Sequence, residues 1–502
     1  MAAKETWRCA HDKAVIEKEK AMTSQNVTRH DDLEEVIDPV IKRRIIIVCA
    51  AAAVGGLLFG FDTAVINGAV DSIAGTATGF GLNSFMSGIS VSCALLGCVL
   101  GAWFAGRLAD RHGRIRSMLF ASILFIASSL GSALAPEIWS FIVFRFIGGL
   151  GVGLASVLGP AYIAEVSPTK MRGFLTSFQQ FGVGIGMLAS TITNSMFAKG
   201  SGGADSPFWF GLATWRWMLL IMIVPSVVMF VVSLMLPESP RYLVMKNRDE
   251  EAAATLKRIN GVVNPEAKIA QIRATVGGES GARLRDLRGG FLGLKKVVWI
   301  GILVALFQQF CGINIILYYD SSIWRSMGFS EQMALDISMY RTLAAWIPMI
   351  ASMILLDRIG RKKLLAAGSI AMTAFLLIAT VGFYHASVQD GNFVLPGIWA
   401  PIAIFGMYAF FLSFNFSWGA GMWVVIGEIF PNNIRAIGVA VATAFNWIGN
   451  FVVSTTFPPL RDTIGVGNVY LAYTVFALLS YLFVKKVLPE TNGVALEDMP
   501  AE

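Results

Sequence analysis

Charged side chains are scarce in this sequence. Asp, Glu, Lys and Arg together make up only 15% of the 502 residues, whereas apolar residues make up 55%. A soluble protein of this length can bury a large core, but its surface then carries more charge than this. The composition therefore argues against a soluble protein and favours a chain that lies in a membrane.

Cysteine and histidine are also few. The chain has five cysteines and four histidines, and Cys49, Cys93, Cys98 and Cys311 lie within apolar runs without metal-ligand spacing. We expect them to be small packing residues. The sequence has no nucleophile–base arrangement and no phosphate-binding loop, and its net charge of +7 is no sign of nucleic-acid binding. It predicts no enzyme, no metal and no cofactor.

Long apolar runs are what the sequence has instead. A helix needs about 20 residues to cross roughly 30 Å of hydrocarbon, and lipid cannot satisfy an open strand edge. We therefore predict an all-α membrane protein with twelve transmembrane helices. The predicted spans are 45–70, 84–106, 117–134, 139–164, 173–197, 217–236, 297–319, 334–356, 364–384, 396–426, 433–458 and 467–486.

Basic residues gather in alternate connections between these spans. The stretches 107–116 and 358–363 are rich in Arg and Lys, whereas the other connections carry mainly Lys199, Arg325 and Arg461. The positive-inside rule then predicts that both termini are cytoplasmic, in the plasma membrane. The first 44 residues have no early apolar stretch, so we expect no signal peptide.

One long polar insertion divides the spans into six plus six. We predict a cytoplasmic helical linker over 238–296, with short helices at 249–260 and 265–274. The predicted organisation is a cytoplasmic tail (1–44), a six-helix bundle (45–237), the linker (238–296), a second six-helix bundle (297–488) and a cytoplasmic tail (489–502).

Three short patterns each occur once in either half, in the same order. They are Asp110-Arg111-His112-Gly113-Arg114 with Asp357-Arg358-Ile359-Gly360-Arg361, Glu165…Pro168…Arg172 with Glu428…Pro431…Arg435, and Pro237-Glu238-Ser239 with Pro489-Glu490-Thr491. The offset is about half the chain each time. Two halves built on one plan in an apolar protein indicate a transporter with its site between the halves.

These patterns resemble the signatures of the sugar porters, a family of the major facilitator superfamily. The segments 106–114, 237–241 and 489–493 carry the resemblance, and the segment 308–314 followed by Tyr318-Tyr319 is similar to the family's seventh helix. The similarity extends from about 45 to 495, and it is strongest to bacterial proton-coupled xylose, glucose and galactose symporters and to facilitative glucose transporters. It implies two six-helix bundles, a sugar site midway through the membrane and alternating access.

The resemblance also implies a gate made from the duplicated charges. Partly desolvated ion pairs would tie the bundles together on the cytoplasmic side while the outer gate is open, and would break in the inward-facing state. Inside-positive anchoring alone explains the arginines but not the acids at fixed spacing. The predicted gate residues are Asp110, Arg114, Glu165, Arg172, Asp357, Arg361, Glu428 and Arg435.

Amides inside the spans are candidates for sugar binding, because a carboxamide both donates and accepts hydrogen bonds. Gln308 and Gln309 are adjacent, so one would face the sugar and the other support it. Asn314 would lie about 8 Å further along the axis if this segment stays helical. The alternative is that such amides only join helices. The resemblance places Gln180, Gln308, Gln309, Asn314 and Asn446 near the sugar with Trp423 as an aromatic wall, and Phe59, Tyr319, Asn415 and Trp447 as second-rank candidates.

Two departures from the family leave the cargo open. Met187 stands where the bacterial xylose symporter has glutamine, and Ala345 stands where asparagine is usual. A lost hydrogen-bond partner costs on the order of 1–3 kcal/mol, which is enough to change the preferred sugar. We expect a monosaccharide or related polyol, carried by a chain that can function as a monomer in the lipid bilayer.

Asp62 and Arg145 are the ionisable residues set inside apolar runs of the first half. A carboxylate there is costly unless it is paired, hydrated or protonated, so a function is the first hypothesis. We predict that Asp62 takes up the coupled proton and releases Arg145, as the resemblance to proton-driven sugar porters implies. The alternatives are a purely structural ion pair, a facilitative uniporter or a transporter-like sugar sensor. Asp336 and Arg341 are expected to form an interfacial pair without a role.

Overall fold

The computed structural model describes residues 38–168, 171–278, 284–290, 292–389, 392–431 and 434–491. Most of the predicted tails, 1–44 and 489–502, lies outside these ranges, and so does the side chain of Asp357. Within them, twelve helices are long and apolar enough to cross a membrane. The fold class predicted from the sequence is therefore confirmed.

The helices of the first half are α1 (Pro39–Ala52 and Val54–Ala74), α2 (Ser84–His112), α3 (Arg114–Ala133), α4 (Ile138–Val166), α5 (Arg172–Ser201) and α6 (Thr214–Leu220 and Ile223–Met235). Those of the second half are α7 (Lys296–Phe310 and Ile313–Ser326), α8 (Glu331–Ala344 and Trp346–Ile359), α9 (Arg361–Tyr384), α10 (Trp399–Phe416 and Trp418–Ile429), α11 (Arg435–Ile464) and α12 (Val466–Lys486). Five of the twelve spans are thus interrupted, each at one or two residues.

Helix α1 begins earlier than the apolar run suggests. Asp38 accepts a hydrogen bond from the Ile41 N–H at 2.7 Å, and Pro39 occupies the first helical position, so the two residues form a favourable helix start. The basic residues before position 45, which were predicted to belong to the tail, therefore lie in the first turns of α1. Hydropathy alone missed this start because the capping residues are polar.

Glycines allow α2 and α4 to pack closely. A Cβ on Gly149 would lie 1.8 Å from the carbonyl oxygen of Ala94, and one on Gly97 would lie 2.3 Å from that of Phe146. Neither position has space for a larger side chain. The glycine-rich segment 149–153 is therefore a helix contact, as expected for small residues in membrane helices.

The linker between the halves is helical and has a small core of its own. Its helices are Pro240–Met245, Asp249–Thr255 with a following wide turn at Leu256–Asn260, and Pro265–Gly278. Leu243, Leu256 and Ile269 are among its buried residues. Asn260 donates to the carbonyl of Val166 at 3.0 Å, which joins the linker to the end of α4.

A short antiparallel hairpin follows α9, which the all-α prediction did not include. Strand β1 (Ser387–Gln389) pairs with β2 (Asn392–Val394), with Ser387 opposite Val394. Each strand has only three residues, too few for a pattern to appear in the sequence. The hairpin lies at the same end of the bundles as the start of α10.

Candidate functional site

Four of the predicted amides form one hydrogen-bonded cluster. Gln309 Nε2 donates to Gln308 Oε1 at 3.2 Å, and Asn446 Nδ2 donates to the same oxygen at 2.8 Å. Asn314 Nδ2 donates to Gln309 Oε1. All four side chains are buried. The cluster lies where α7 and α11 meet, and it presents several carboxamides within one small volume.

An interruption of α7 makes this cluster possible. The first segment ends at Phe310, and Gly312 takes the left-handed conformation with φ 81° before the second segment begins. A Cβ on Gly312 would lie 2.5 Å from the ring of Tyr473, so only glycine fits here. The predicted 8 Å separation of Asn314 required a continuous helix, and that condition is not met: the helix is interrupted, and the side chain of Asn314 donates to Gln309.

Helix α10 is interrupted at the same depth. Ser417 has φ −131° and ψ −76°, and it separates the two segments of this helix. Gln308 donates from Nε2 to the carbonyl of Trp418 at 3.1 Å, which satisfies a backbone group beside the break. Interrupted helices that face each other near the middle of a membrane are typical of transporter binding sites.

Gln179 and Gln180 of α5 face in different directions. Gln179 is buried among α1 and α4, where both its amide atoms lack a hydrogen-bond partner among the residues described. Gln180 is exposed, and one turn later a Cβ on Gly184 would meet the ring of Trp346 from α8 at 3.1 Å. The Gln180 face of α5 therefore lies along the seam between the bundles.

Trp423 and the second-rank candidates Phe59, Asn415 and Trp447 occupy different places. Trp423 of α10 is 41% exposed. Phe59 and Trp447 pack against each other across the seam, with their ring centroids 5.7 Å apart. Asn415 donates to the carbonyl of Phe411 in its own helix at 2.8 Å. Phe59 and Trp447 therefore join the two bundles directly.

A small cavity lies between the two bundles, and Tyr319 is not among the residues that line it, whereas its neighbour is. Tyr319 donates to the carbonyl of Ser454 at 3.0 Å, and its ring packs on Phe457. Tyr318 instead lines the cavity together with Phe59. The sequence could not distinguish the two, because adjacent helical residues differ by about 100° in direction and only the packing fixes which one points inward.

Asp62 and Arg145 form a buried ion pair. Arg145 Nη1 lies 2.6 Å from Asp62 Oδ1, and the two side chains are only 4% and 5% exposed. The pair lies beside a cavity of about 20 Å³ that Phe59, Tyr318 and Trp447 also line, roughly the space of one water molecule. The pair therefore borders the seam within reach of aromatic side chains from both bundles.

The first copy of the duplicated motifs forms one network at the α2–α3 turn. Arg114 contacts Glu165 with two parallel hydrogen bonds of 3.0 and 2.9 Å, and it lies 3.1 Å from Asp110. Glu238 accepts from the backbone N–H groups of Arg114 and Ile115 at 3.0 and 3.3 Å. Bidentate pairs of this kind fix geometry as well as charge.

The second copy repeats this arrangement in the second half. Arg361 contacts Glu428 with hydrogen bonds of 3.1 and 2.8 Å, and Glu490 accepts from the backbone N–H groups of Arg361 and Lys362 at 2.9 and 3.2 Å. The hydroxyl of Thr491 donates to Glu428 at 2.6 Å. We call the end of the bundles that holds the Arg114 and Arg361 networks the motif end.

Glu238 and Glu490 are functional candidates that sequence reasoning missed. The motifs containing them were recognised, but no role was assigned to the acids. Both cap the helix that follows the Gly in the Asp-Arg-x-Gly-Arg pattern, and a Cβ on Gly113 would lie 2.3 Å from Glu238 Oε2. Gly113 has φ 99° and Gly360 has φ 93°. The repeated glycine is therefore needed both for its conformation and for the approach of the acid.

Each of these ion pairs joins residues of one bundle. In this conformation neither network bridges the seam through the contacts just described, so the gate between the bundles stays a prediction for the opposite conformation. Arg172 is exposed at the start of α5. Arg435 donates to the carbonyl of Phe430 at 3.3 Å. Asp357 lies outside the described side chains.

The bundles contact each other at the end away from the motif end. We call this the opposite end, and it is where the C-terminal ends of α1, α5, α7 and α11 lie. Ser92 and Thr455 are hydrogen-bonded at 2.6 Å, and a Cβ on Gly88 would lie 2.3 Å from the carbonyl oxygen of Thr455. Arg325 lies 3.1 Å from Asp71. These contacts close the seam at this end.

The predicted pair of Asp336 with Arg341 is wrong. Asp336 accepts from Ser195 of the other bundle at 2.5 Å, so it belongs to the closed end. Arg341 instead pairs with Asp320 at 3.1 Å. Asp336 and Arg341 are five residues apart and point to different faces of α8. Side chains three or four residues apart are the ones that meet on a helix, so the spacing itself disfavours this pair.

Comparison with known proteins identifies the family. A family described as "Sugar (and other) transporter" matches residues 48–502. The chain is 45% identical to a glucose transport protein of Synechocystis (91% of this chain, 97% of that protein) and 35% identical to an arabinose-proton symporter of Bacillus subtilis (91% and 94%). It is also similar to an inward-open structure of the xylose transporter XylE from E. coli, with a TM-score of 0.76, 32% identity and coverage of 91% and 99%. The chain therefore belongs to the sugar porters of the major facilitator superfamily, and it is a membrane transporter rather than an enzyme.

Proposed function

We propose that this protein is a proton-coupled monosaccharide symporter that works by alternating access. The motif end faces the cytoplasm, both termini are cytoplasmic, and one chain in the bilayer suffices for transport. The basic residues that flank the motifs support this orientation, because cytoplasmic connections carry the excess of Lys and Arg. Glucose, xylose, galactose and myo-inositol are the candidate cargoes.

The amide cluster supports a sugar site at the seam. Asn446 uses both Nδ2 hydrogens, one for the carbonyl of Ala305 at 3.3 Å and one for Gln308. Its Oδ1 is then available to a ligand hydroxyl, since no bond to it occurs among the described residues. Trp423 and Trp447 supply flat apolar faces for the C–H groups of a sugar ring. Gln180 adds an amide from the first bundle.

The conformation supports an opening toward the cytoplasm. The seam is closed at the opposite end by contacts such as Ser92 with Thr455. Gln180, by contrast, is exposed inside a spanning helix, and an amide at that position favours contact with water over contact with lipid. An exposed amide beside the seam is what an inward-facing cavity requires. A sugar would leave toward the motif end from this state.

The buried pair of Asp62 and Arg145 is the observation that carries proton coupling. A carboxylate and a guanidinium far from water cost free energy unless they are paired, and breaking such a pair by protonation changes the local balance of charge. The same cavity is lined by Phe59 and Trp447, which join the bundles. Protonation of Asp62 can therefore act directly on the seam that must open and close.

Transport into liposomes tests the proposal. Purified protein in vesicles with an inward proton gradient should accumulate the transported sugar above its external concentration. A facilitative uniporter would only equalise the two concentrations. Binding of sugar without any flux would instead indicate a sensor. Counterflow uptake competed by a panel of unlabelled monosaccharides would then identify the preferred cargo.

A further inference from the structure

A second buried ion pair lies in the C-terminal bundle. Arg341 of α8 donates from Nε to Oδ2 of Asp320 in α7 at 3.1 Å, and neither side chain is more than 2% exposed. The guanidinium also lies over the ring of Phe411, 4.5 Å from its centroid. Burying two charges is expensive, and apolar residues of similar volume often stabilise a core better. Such a pair calls for an explanation in terms of what it positions.

The Asp320 carboxylate fixes the direction of a hydroxyl group. Ser338 donates to Asp320 Oδ2 at 2.7 Å, while Trp324 Nε1 donates to Oδ1 at 2.8 Å. A serine hydroxyl has one hydrogen and two acceptor sites. Because its hydrogen is committed to the carboxylate, Ser338 presents only acceptor sites elsewhere.

The acceptor side of Ser338 faces the other bundle. Asn67 of α1 donates from Nδ2 to Ser338 at 3.2 Å, and its Oδ1 accepts from the backbone N–H of Ser321 at 3.0 Å. Ser321 also donates to the Asn67 carbonyl. Asn67 is 2% exposed. One buried side chain of the first bundle is thus held by α7 and α8 together.

We propose that Asp320, paired with Arg341, is a positioning residue that holds the opposite-end gate closed by orienting Ser338 to accept from Asn67. This inference rests on the proposed alternating access and names a regulator of it. With a neutral amide at position 320, the Ser338 hydroxyl is no longer committed to a carboxylate, and it can turn its hydrogen toward the Asn67 amino group. The contact between the bundles then loses its donor–acceptor match.

The location of Asn67 connects this gate to the first ion pair. Asn67 and Asp62 lie on the same segment of α1, Val54–Ala74, five residues apart. This is about 7.5 Å along the helix axis. A displacement of α1 when Arg145 is released would therefore also move Asn67 relative to Ser338.

Distances between spin labels at the opposite end test the proposal. Leu134 and Ile398 are exposed there on different bundles, and each can be replaced by a labelled cysteine. Cys9→Ser removes the cysteine of the N-terminal segment, and the four described cysteines are buried. Pulsed electron resonance on the full chain should give a mainly short distance for the parent protein. Asp320→Asn and Ser338→Ala should both shift the main peak to longer distances.

Two further variants separate positioning from general destabilisation. Trp324→Phe removes a different donor to Asp320 and leaves the Arg341 pair and the Ser338–Asn67 contact, so it should keep the parent distances. Asp320→Asn combined with Asn67→Ala should shift the peak no further than Asn67→Ala alone, because Asn67→Ala already removes the Ser338 contact that Asp320→Asn weakens, together with the bond from Ser321. An additive shift would contradict the inference.

The result that overturns the proposal is a parent-like distance distribution in Ser338→Ala, a variant that leaves the ion pair intact. An Asp320→Asn variant that unfolds at a lower temperature but keeps the parent distance distribution would also overturn the proposal. The measurement needs neither sugar nor a proton gradient. A chain that fails to accumulate sugar but shows these shifts would refute the proposed symport and retain the gate, and the reverse pattern would do the opposite.

Discussion

Asn446 donates a hydrogen bond to the side-chain oxygen of Gln308 at 2.8 Å and so ties α11 to α7 beside the interruption in α7. The same oxygen accepts from Gln309, and the amide nitrogen of Gln308 reaches the carbonyl of Trp418 in α10. Three helices of the second bundle therefore meet at one carboxamide. A ligand that binds this carboxamide would therefore contact a group that is hydrogen-bonded to all three helices.

Loss of Asn446 should weaken sugar binding. Asn446→Ala removes one ligand acceptor and the bond that holds Gln308, which costs on the order of 1–3 kcal/mol, or roughly a fivefold to 150-fold loss of apparent affinity. Counterflow at increasing sugar concentration measures this. Asn468→Ala is the matched control, because Asn468 is an exposed asparagine at the start of α12. Equal affinities in the two variants would contradict the site.

Gly312→Ala should disable the interruption of α7. Its φ of 81° disfavours any residue with a Cβ by about 1–2 kcal/mol, and the ring of Tyr473 occupies the space that the methyl group needs. We expect a lower unfolding temperature in detergent and loss of uptake. Gly290→Ala is the control, since a Cβ on Gly290 would meet nothing within 4 Å. Equal melting of the two variants would refute the argument.

Glu238→Gln and Glu490→Gln should have matching effects. Each replaces a charged acceptor of two backbone N–H groups at the start of a helix, and hydrogen bonds to charged groups contribute about 1.5–3 kcal/mol. The unfolding temperature should fall by similar amounts in both variants. Glu250→Gln changes an exposed acid of the linker and should leave stability unchanged. A large effect in one half only would show that the two networks are not equivalent.

The spans and the amides were predictable because their signals are local. Twenty apolar residues identify a spanning helix wherever it packs, and an amide among them is conspicuous. The pairing of Asp62 with Arg145 was predictable for a related reason, since a buried charge needs a partner and the first half offered few.

Contacts that depend on packing were not predictable. Asp320 directly follows the predicted span 297–319 and was assigned no role, and nothing in the spacing shows that Arg341 reaches it from the next helix. The capping roles of Glu238 and Glu490 depend on acids more than 120 residues away in sequence from the helices they cap. The break at Gly312 was hidden because an isolated glycine in an apolar run is common in membrane helices.

The most direct test of proton-driven transport compares the parent protein with Asp62→Asn in the same liposomes. The neutral amide has the size of the acid but cannot exchange a proton. We predict that Asp62→Asn retains sugar counterflow and loses accumulation under an inward proton gradient, while the parent protein shows both. Equal accumulation by the two proteins would contradict it.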